Sequence, residues 1–562
     1  MKILIMQSFT VDEPQYEAAI FNKGEVVEVD DERGKRMIKS GLAQKFIDYN
    51  NTEEVRREHV KELSSQLKNA KEQKLPRPQV TEILAKGFVD IETVFTIRND
   101  MKDELWIHHE GVYIPHGRSF IREFCRAVLE EEYSPHLVSD VIHKIAVDTF
   151  IGEEEFFQEN EIDEIAIQNG ILNLRTRELS EFAPEKKFFN KLPIFYDASA
   201  KCIAIEAHLD SVLKNPEDKN LFFEIVGFCL WKEYFIEKAF MFLGDGRNGK
   251  SKTIELIKNF LGTENCVSVP LQQLENETFA RCELHKKLAN LCGDISRTAL
   301  KTTGIFKHLT GQDLISADRK FLPRIHFKNY AKLVFACNEL PRTGDLTPAF
   351  WNRWVLMEFP YTFLPKKELD LRLSSQELSA EEKKKLKLAD ATIIEKLKTT
   401  EELSGLLNQA LDGLDRLMKK KDFSFSQSTE DVKQLWLRKS DSITTFLAEM
   451  VEVGDQNLDA IPKRELKRRY AQYCSEIRTR QSSDREIKAG LLAAFEVFEE
   501  QHTSDNGKRE RVWAGIRWKD AQATQDTQQK TINQTLFSKN DGQKNGVQGA
   551  NPVQPYSGGH SQ

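Results

Sequence analysis

The 562 residues carry 81 lysines and arginines against 88 aspartates and glutamates, a net charge of −7, with 40% hydrophobic and 30% charged residues. No run approaches the roughly 18 apolar residues that a membrane span needs, so the composition predicts an ordinary multidomain globular chain with room for several cores. Bulk charge gives no attraction to nucleic acid, and any such binding has to come from local basic patches.

The opening segment MKILIMQSFTVDE has too short an apolar stretch for a signal peptide, and a cytoplasmic protein is expected. Eight cysteines (125, 202, 229, 266, 282, 292, 337 and 474) are scattered without a Cys-x-x-Cys pair, which predicts reduced, buried thiols and no zinc site. Residues 1–50 alternate apolar and polar positions and predict a small β-rich module, closing in a short amphipathic helix around 36–46. Residues 51–87 begin dense in Glu, Lys, Arg and Gln and then meet Pro76 and Pro78; they read as a charged helical linker.

From residue 88 the pattern mixes strand and helix. A hairpin is expected over 105–114 with Glu110-Gly111 as its turn, then helices over 119–131 and 137–149. His108 and His109 are neighbours on a strand, so they point to opposite faces, and no third ligand stands near; metal binding is not expected there. A second hairpin is expected over 165–174, with Asn169-Gly170 as its turn, and a helical block over 203–232.

The apolar run 239–243 then leads into Gly244, Asp245, Gly246, Arg247, Asn248, Gly249, Lys250, Ser251 and Lys252, followed by a helical pattern over 253–261. Strand, glycine-rich loop and helix together read as a P-loop rather than a glycine-rich surface turn. Glycines let backbone N–H groups curl around phosphate oxygens, Lys250 neutralises the β and γ phosphates, and Ser251 offers a hydroxyl to Mg²⁺. Two further strand-like runs, 288–294 and 331–338, end on Asp294 and Asn338. Asp294 stands where a Walker-B acid would hold Mg²⁺, and Asn338 where a sensor would orient the attacking water. The spacing from Lys250 to Asp294 and from Asp294 to Asn338 is 44 residues in each case.

Between those runs, residues 301–332 carry seven basic side chains, including Lys307, Arg319, Lys320, Arg324, Lys328 and Lys332, against Asp313 and Asp318. Phe321, His326 and Phe327 interleave with them. The combination suits a grip on phosphates with bases or sugars brushed alongside; a solvated basic face is the alternative. Arg353 follows Asn338 by fifteen residues in an aromatic setting, placed to reach a neighbour's γ-phosphate.

Gly-Asp-Gly-Arg-Asn-Gly-Lys-Ser (244–251), Leu-Thr-Gly-Gln-Asp (309–313), Ser-Ala-Asp-Arg-Lys-Phe (316–321), Ala-Cys-Asn-Glu-Leu-Pro (336–341) and Phe-Trp-Asn-Arg-Trp (350–354) together resemble a superfamily-3 helicase. More narrowly, they resemble the helicase half of the phage, plasmid and poxvirus-type primase-helicases. Residues 167–174 and 191–197 resemble the domain that precedes the ATPase in that family. The resemblance implies a multidomain α/β protein with an AAA+-type P-loop ATPase core (206–365), an N-terminal α+β helicase-associated domain (88–205), a helical subdomain (366–424), and a C-terminal winged-helix-like domain (425–520). Residues 521–562, rich in Gln, Asn, Gly and Ser, are expected to be a disordered tail.

By position, the resemblance implies ATP and Mg²⁺ as cofactors. Lys250, Asp294, Asn338 and Arg353 would be catalytic, residues 244–252 would bind nucleotide, and Ser251 and Asp294 would hold the metal. Arg319, Lys320, Arg324, His326 and Lys328 would track DNA from a pore hairpin. A hexamer around single-stranded DNA, duplex bound at the C-terminal domain, and a separate primase or other replication proteins are the implied partners, in the host cytoplasm if phage-encoded. Two departures stand out. Gly293 precedes Asp294 where many members pair two acids, and residues 1–88 lack a paired-carboxylate primase constellation, so a helicase without priming activity is expected. An origin-binding initiator of the same fold is the main alternative; a small-molecule P-loop kinase explains neither Arg353 nor the basic hairpin.

Overall fold

A computed structural model describes residues 52–519 apart from 73–74, 99–102, 159–161, 297, 346, 377, 456–457, 478 and 504–508; before residue 52 it describes only five short strands. Three of these form an antiparallel sheet centred on Lys2–Ile5, flanked by Val26–Glu28 and Ala43–Lys45. Residues 43–45 are thus strand where the sequence predicted the end of a helix, and the rest of that expected helix, like the tail 521–562, lies outside the described residues.

The predicted charged helical linker is helical, and its first helix, Thr52–Glu72, is packed rather than free. Its Leu63 is buried against Gly87 of the next helix, Arg77–Val89, where a Cβ would come within 2.5 Å of the leucine side chain. Val60, Leu63 and Leu67 form a narrow apolar stripe among charged residues, too narrow to reveal the contact from sequence. The hairpin Glu104–His109/Val112–Ile114 turns at Glu110 and Gly111, both at positive φ (47° and 88°). In the second hairpin Ile167 pairs with Gly170, so the turn is Gln168-Asn169, one residue earlier than predicted.

The centre of the molecule is a five-stranded parallel sheet. Its strands are β1 (Ala239–Leu243), β2 (Cys266–Val267), β3 (Ala289–Cys292), β6 (Lys332–Cys337) and β7 (Trp354–Glu358), in the spatial order β2-β3-β6-β1-β7. Between β3 and β6 the chain makes an antiparallel hairpin, β4 (Leu314–Arg319) and β5 (Leu322–Lys328). Continuous apolar runs such as β1 fit a strand covered on both faces. Its side chains divide with period two: Phe240 and Phe242 enter one core, Ala239, Met241 and Leu243 the other.

The first face is covered by helices α1 (Ile203–Val212), α2 (Pro216–Leu230), α3 (Lys250–Leu261) and α4 (Thr400–Lys420). α2 and α4 cross so closely that a Cβ on Gly227 would lie 2.2 Å from the Ala410 carbonyl oxygen, which leaves room only for glycine. Residues of the 164–173 hairpin and of α4 share this core with the sheet, so the packing does not divide at 205 or at 365. The second face carries the β4–β5 hairpin root and a helix from the C-terminal part, α5 (Thr429–Ser440), whose Trp436 is fully buried.

Beyond α5 the order is helix Ser442–Met450, strands Val451–Val453 and Ala460–Pro462, helices Lys463–Glu476 and Asp484–Ala494, then strands Phe498–Thr503, Arg509–Ala514 and Ile516–Trp518; Ala460–Pro462, Arg509–Ala514 and Phe498–Thr503 form one antiparallel sheet, and Val451–Val453 pairs with Ile516–Trp518. No helix among the described residues is long and apolar enough to cross a membrane.

Candidate nucleotide site at the carboxyl edge of the sheet

All strands of the central sheet are parallel, so their carboxyl ends lie along one edge. Ligands of open α/β sheets bind there, where the strand order reverses. Leu243 of β1 is paired with Cys337 of β6, so Gly244 and Asn338, the next residues, emerge side by side. Cys292 pairs with Phe335, and Asp294 leaves β3 along the same edge, its segment held by the Ile295 N–H donating to the Ala336 carbonyl at 3.0 Å.

The loop after β1 is folded on itself. A Cβ on Gly244 would lie 1.9 Å from Asn248 Nδ2, so the close turn requires glycine. Arg247 (φ 61°) and Gly249 (φ 91°) are left-handed, and Gly249 opens α3 with no side-chain cap. The first N–H groups of α3 therefore face the loop without an intrahelical acceptor, the arrangement that receives anions. Asn248, buried, donates from Nδ2 to the Phe359 carbonyl at 3.1 Å and accepts from Lys250 Nζ at 3.0 Å.

Lys250 is 5% exposed. Its Nζ also donates to the Gly244 and Asp245 carbonyls and, at 3.0 Å, to Asn338 Oδ1. Burial lowers its pKa to about 8, against the attraction of Cys337, Asp245 and Asp294. An ammonium held dry among neutral oxygens is best stabilised by an incoming phosphate. Ser251 and Asp294 are both exposed along this edge, oxygen donors of the kind that complete a magnesium shell together with phosphates and water. Among the described residues no group of three His, Cys, Asp or Glu forms a protein-only metal cage. Nothing lies within 4 Å of a Cβ built on Gly293, so the missing second acid has no steric cause.

Arg353 stands elsewhere. It precedes β7, its carbonyl accepts from the Ala239 N–H, and so it lies at the amino end of the sheet, about 16 Å of strand from the loop. Its guanidinium is 14% exposed, 2.6 Å from Glu237, and donates from Nε to Thr310 Oγ1 at 3.0 Å. Lys250, Asn338 and Asp294 are thus brought to one edge, whereas Arg353 cannot reach the 244–252 loop of its own chain.

The hairpin presents its basic residues unequally. Lys320 and Phe321 form the tip, with Phe321 83% exposed, and His326 and Lys328 are exposed on one face. Arg324 pairs with Asp318 at 2.7 Å. Arg319 is withdrawn: its Nη1 lies 3.2 Å from Glu104 on the N-terminal hairpin, both side chains being largely covered. Lys307 is bound to Asp345, and Lys332 is fully buried, its Nζ donating to the Trp231 and Tyr330 carbonyls. Spacing could not separate these structural cations from the exposed ones.

Sequence reasoning also missed Glu358 and Lys439. Glu358 ends β7 opposite Leu243, and its run of apolar residues closing on an acid was the available signal. Lys439 comes from α5, 3.5 Å from Glu358, and only tertiary packing brings it there.

Comparison with known proteins points in one direction. Residues 29–214 match the family described as "D5 N terminal like", and residues 242–353 match a family of unknown function, DUF5906. The chain is similar to "Putative helicase V13" of Sputnik virophage, 23% identical over 326 residues (55% of this chain, 40% of the relative). It is similar as well to "Putative helicase L207/L206" of Acanthamoeba polyphaga mimivirus, 27% identical over 199 residues (34% and 20%). A third relative, "Putative helicase 121R" of Invertebrate iridescent virus 3, is 24% identical over 322 residues (53% and 33%). The chain therefore spans less than half the length of each of these relatives. The apo structure of the NrS-1 C-terminal region aligns over 77% of this chain and 98% of its own, at 12% identity and a TM-score of 0.34, too low to carry a fold argument. The resemblances place the chain beside viral helicase-type proteins.

Proposed function

We propose that this chain is an ATP-dependent replicative DNA helicase of a phage, virus or plasmid, working as a superfamily-3, AAA+-type ring. The observation that carries the reading is the disposition of four residues. Lys250, Asn338 and Asp294 converge at the carboxyl edge of the sheet, and Arg353 sits at the amino edge of the same sheet. An arginine finger at this position would serve a neighbouring subunit and not its own, which favours an oligomer; a hexamer is the proposed state. Residues 244–252 would wrap the phosphates, Lys250 would neutralise them, Ser251 and Asp294 would hold Mg²⁺, and Asn338 would orient the attacking water. The magnesium supplies charge neutralisation on the phosphates when bound.

The exposed hairpin residues Lys320, Arg324, His326 and Lys328 would track single-stranded DNA, with Arg319 joining once released from Glu104. The helix-strand-strand-helix-helix-strand-strand order of residues 442–514, with three strands in one antiparallel sheet beside three helices, supports a winged-helix reading for duplex contact. That module also favours the second reading, an ATP-dependent origin-binding initiator without processive unwinding. A cytoplasmic site of action and a primase acting in trans belong to the same proposal.

The test is ATP hydrolysis with and without single-stranded DNA, beside unwinding of a forked duplex, on the wild type and on Lys320→Ala. DNA-stimulated hydrolysis with fork opening, uncoupled by Lys320→Ala, is expected. Hydrolysis indifferent to DNA with no fork opened would sink the motor, and sequence-selective duplex binding in that case would favour the initiator.

A further inference from the structure

Lys439 is only 10% exposed along its side chain, although it lies next to the last residue of α5. Its ammonium is 3.5 Å from Glu358, which is paired with Leu243 immediately ahead of Gly244. Lys439 and Glu358 line one small cleft with Gly244, Asp245 and Tyr361. A lysine from the C-terminal part of the chain thus closes over the start of the phosphate loop.

Its position is fixed by the turn before it. Trp436 is buried among Phe350, Trp351 and Trp354, its ring 5.0 Å from that of Trp354, and its Nε1 donates to the Pro341 carbonyl at 2.8 Å. Arg342 reaches Asp441 at 3.2 Å just past the helix. Pro341 and Arg342 follow Asn338 by three and four residues, so α5 is bolted to the segment that carries Asn338.

Charge gives the ammonium a use. A magnesium-bound nucleoside triphosphate keeps about two negative charges, and Lys250 supplies one positive one. Of the other cations near the loop, Arg247 is paired with Glu368 and Lys252 with Glu255, both turned outward on exposed surface. We propose that Lys439 binds the nucleotide, exchanging Glu358 for a phosphate oxygen of a nucleoside triphosphate, so that α5 and the module behind it follow the nucleotide state. This rests on the nucleotide reading of residues 244–252.

The experiment is titration of the full chain with a magnesium-bound non-hydrolysable ATP analogue and with MgADP, for wild type, Lys439→Ala, Lys439→Arg, Glu358→Gln and Lys250→Ala. Lys439→Ala is expected to weaken the triphosphate roughly tenfold and the diphosphate less than about twofold, the size of one charge-assisted hydrogen bond. Lys439→Arg should recover most of that loss, and Glu358→Gln should tighten the triphosphate. Amide exchange over 429–450 should slow on adding the analogue to wild type and not to Lys439→Ala, a readout that a merely structural lysine would not move. Equal losses for both nucleotides, or none, overturn the inference while Lys250→Ala still abolishes binding. If wild type and Lys250→Ala bind alike, the nucleotide reading itself fails and takes this inference with it.

Discussion

Lys250 Nζ and Asn338 Oδ1 are 3.0 Å apart although 88 residues separate them in sequence. The parallel pairing of Leu243 with Cys337 puts the two chain exits next to each other, and the lysine bridges them. The contact joins the group proposed to hold phosphate with the group proposed to orient water.

Replacing Asn338 should therefore separate binding from chemistry. Asn338→Ala leaves Lys250 three other acceptors, so nucleotide affinity should stay within a few-fold of wild type. Single-turnover hydrolysis should fall about 100- to 1,000-fold, the range for losing one oriented polar group from a reaction centre. Loss of binding in step with hydrolysis would make Asn338 a structural partner of Lys250 and nothing more.

A pH titration probes the lysine itself. In the free protein burial holds Lys250 at about 8, well below the ordinary 10.5. Phosphate favours the ammonium and raises that value in the complex. Below pH 7 both states are charged and affinity is flat; above 8 binding must take up a proton, so affinity falls, by up to about tenfold per unit. Calorimetry in buffers of different ionisation heat should register the uptake at pH 9. An affinity flat to pH 9.5 contradicts the assignment.

How far the residues alone led depends on the distance over which each signal acts. The loop, β1 and α3 are contiguous, so the strand-loop-helix order of 239–261 could be read directly. The position of Asp294 and Asn338 just past two buried strands was legible from a pattern of period and polarity. The basic stretch 301–332 was not, because Arg319, Lys307 and Lys332 have partners at Glu104, Asp345 and Trp231 that no local pattern announces. Lys439 was invisible for the same reason. The helix Thr52–Glu72 was legible as a helix, but its packing was not, because the contact rests on the narrow stripe Val60, Leu63 and Leu67.

Lys332 makes a second prediction about pH, now for stability. Burial lowers its pKa to about 7 from 10.5, with its Nζ 4.4 Å from the Phe228 ring centroid. Between those values the unfolded chain binds the extra proton, so this group makes the fold more stable as pH rises and less stable as pH falls toward 7. Lys332→Met removes that dependence along with two hydrogen bonds. The stability of Lys332→Met relative to wild type should decline by about 1.4 kcal/mol per pH unit between 7.5 and 9.5 in urea unfolding. A pH-independent difference would mean that the lysine keeps its proton in the fold and titrates as it does in the unfolded chain.

Glu104 holds Arg319 away from the exposed face of the hairpin. Glu104→Ala should free the guanidinium, strengthen single-stranded DNA binding a few-fold, and steepen its salt dependence by about 0.7 in log–log slope, one phosphate's worth. Fluorescence anisotropy on a labelled oligonucleotide from 50 to 200 mM salt reads both. Unchanged affinity and slope would show that the arginine belongs to the domain contact alone.

Arg353 offers the sharpest test of assembly. To act on a neighbour its guanidinium must leave Glu237, Thr310 and the Ala349 carbonyl, a cost that the incoming phosphate has to offset. Arg353→Ala should bind nucleotide normally and lose at least about a thousandfold in hydrolysis, as for arginine fingers. Lys250→Ala, which cannot bind, still presents its own Arg353 to a neighbour. Mixing the two inactive variants should restore activity at interfaces where a competent loop meets a competent arginine, to a fraction set by the mixing ratio. Because no geometry lets Arg353 reach its own loop across the length of β7, recovery on mixing requires that neighbouring subunits share a site. If mixed oligomers form and stay inactive, Arg353 only ties the amino edge of the sheet to Glu237 and Thr310, and its loss should then appear as a lowered melting temperature.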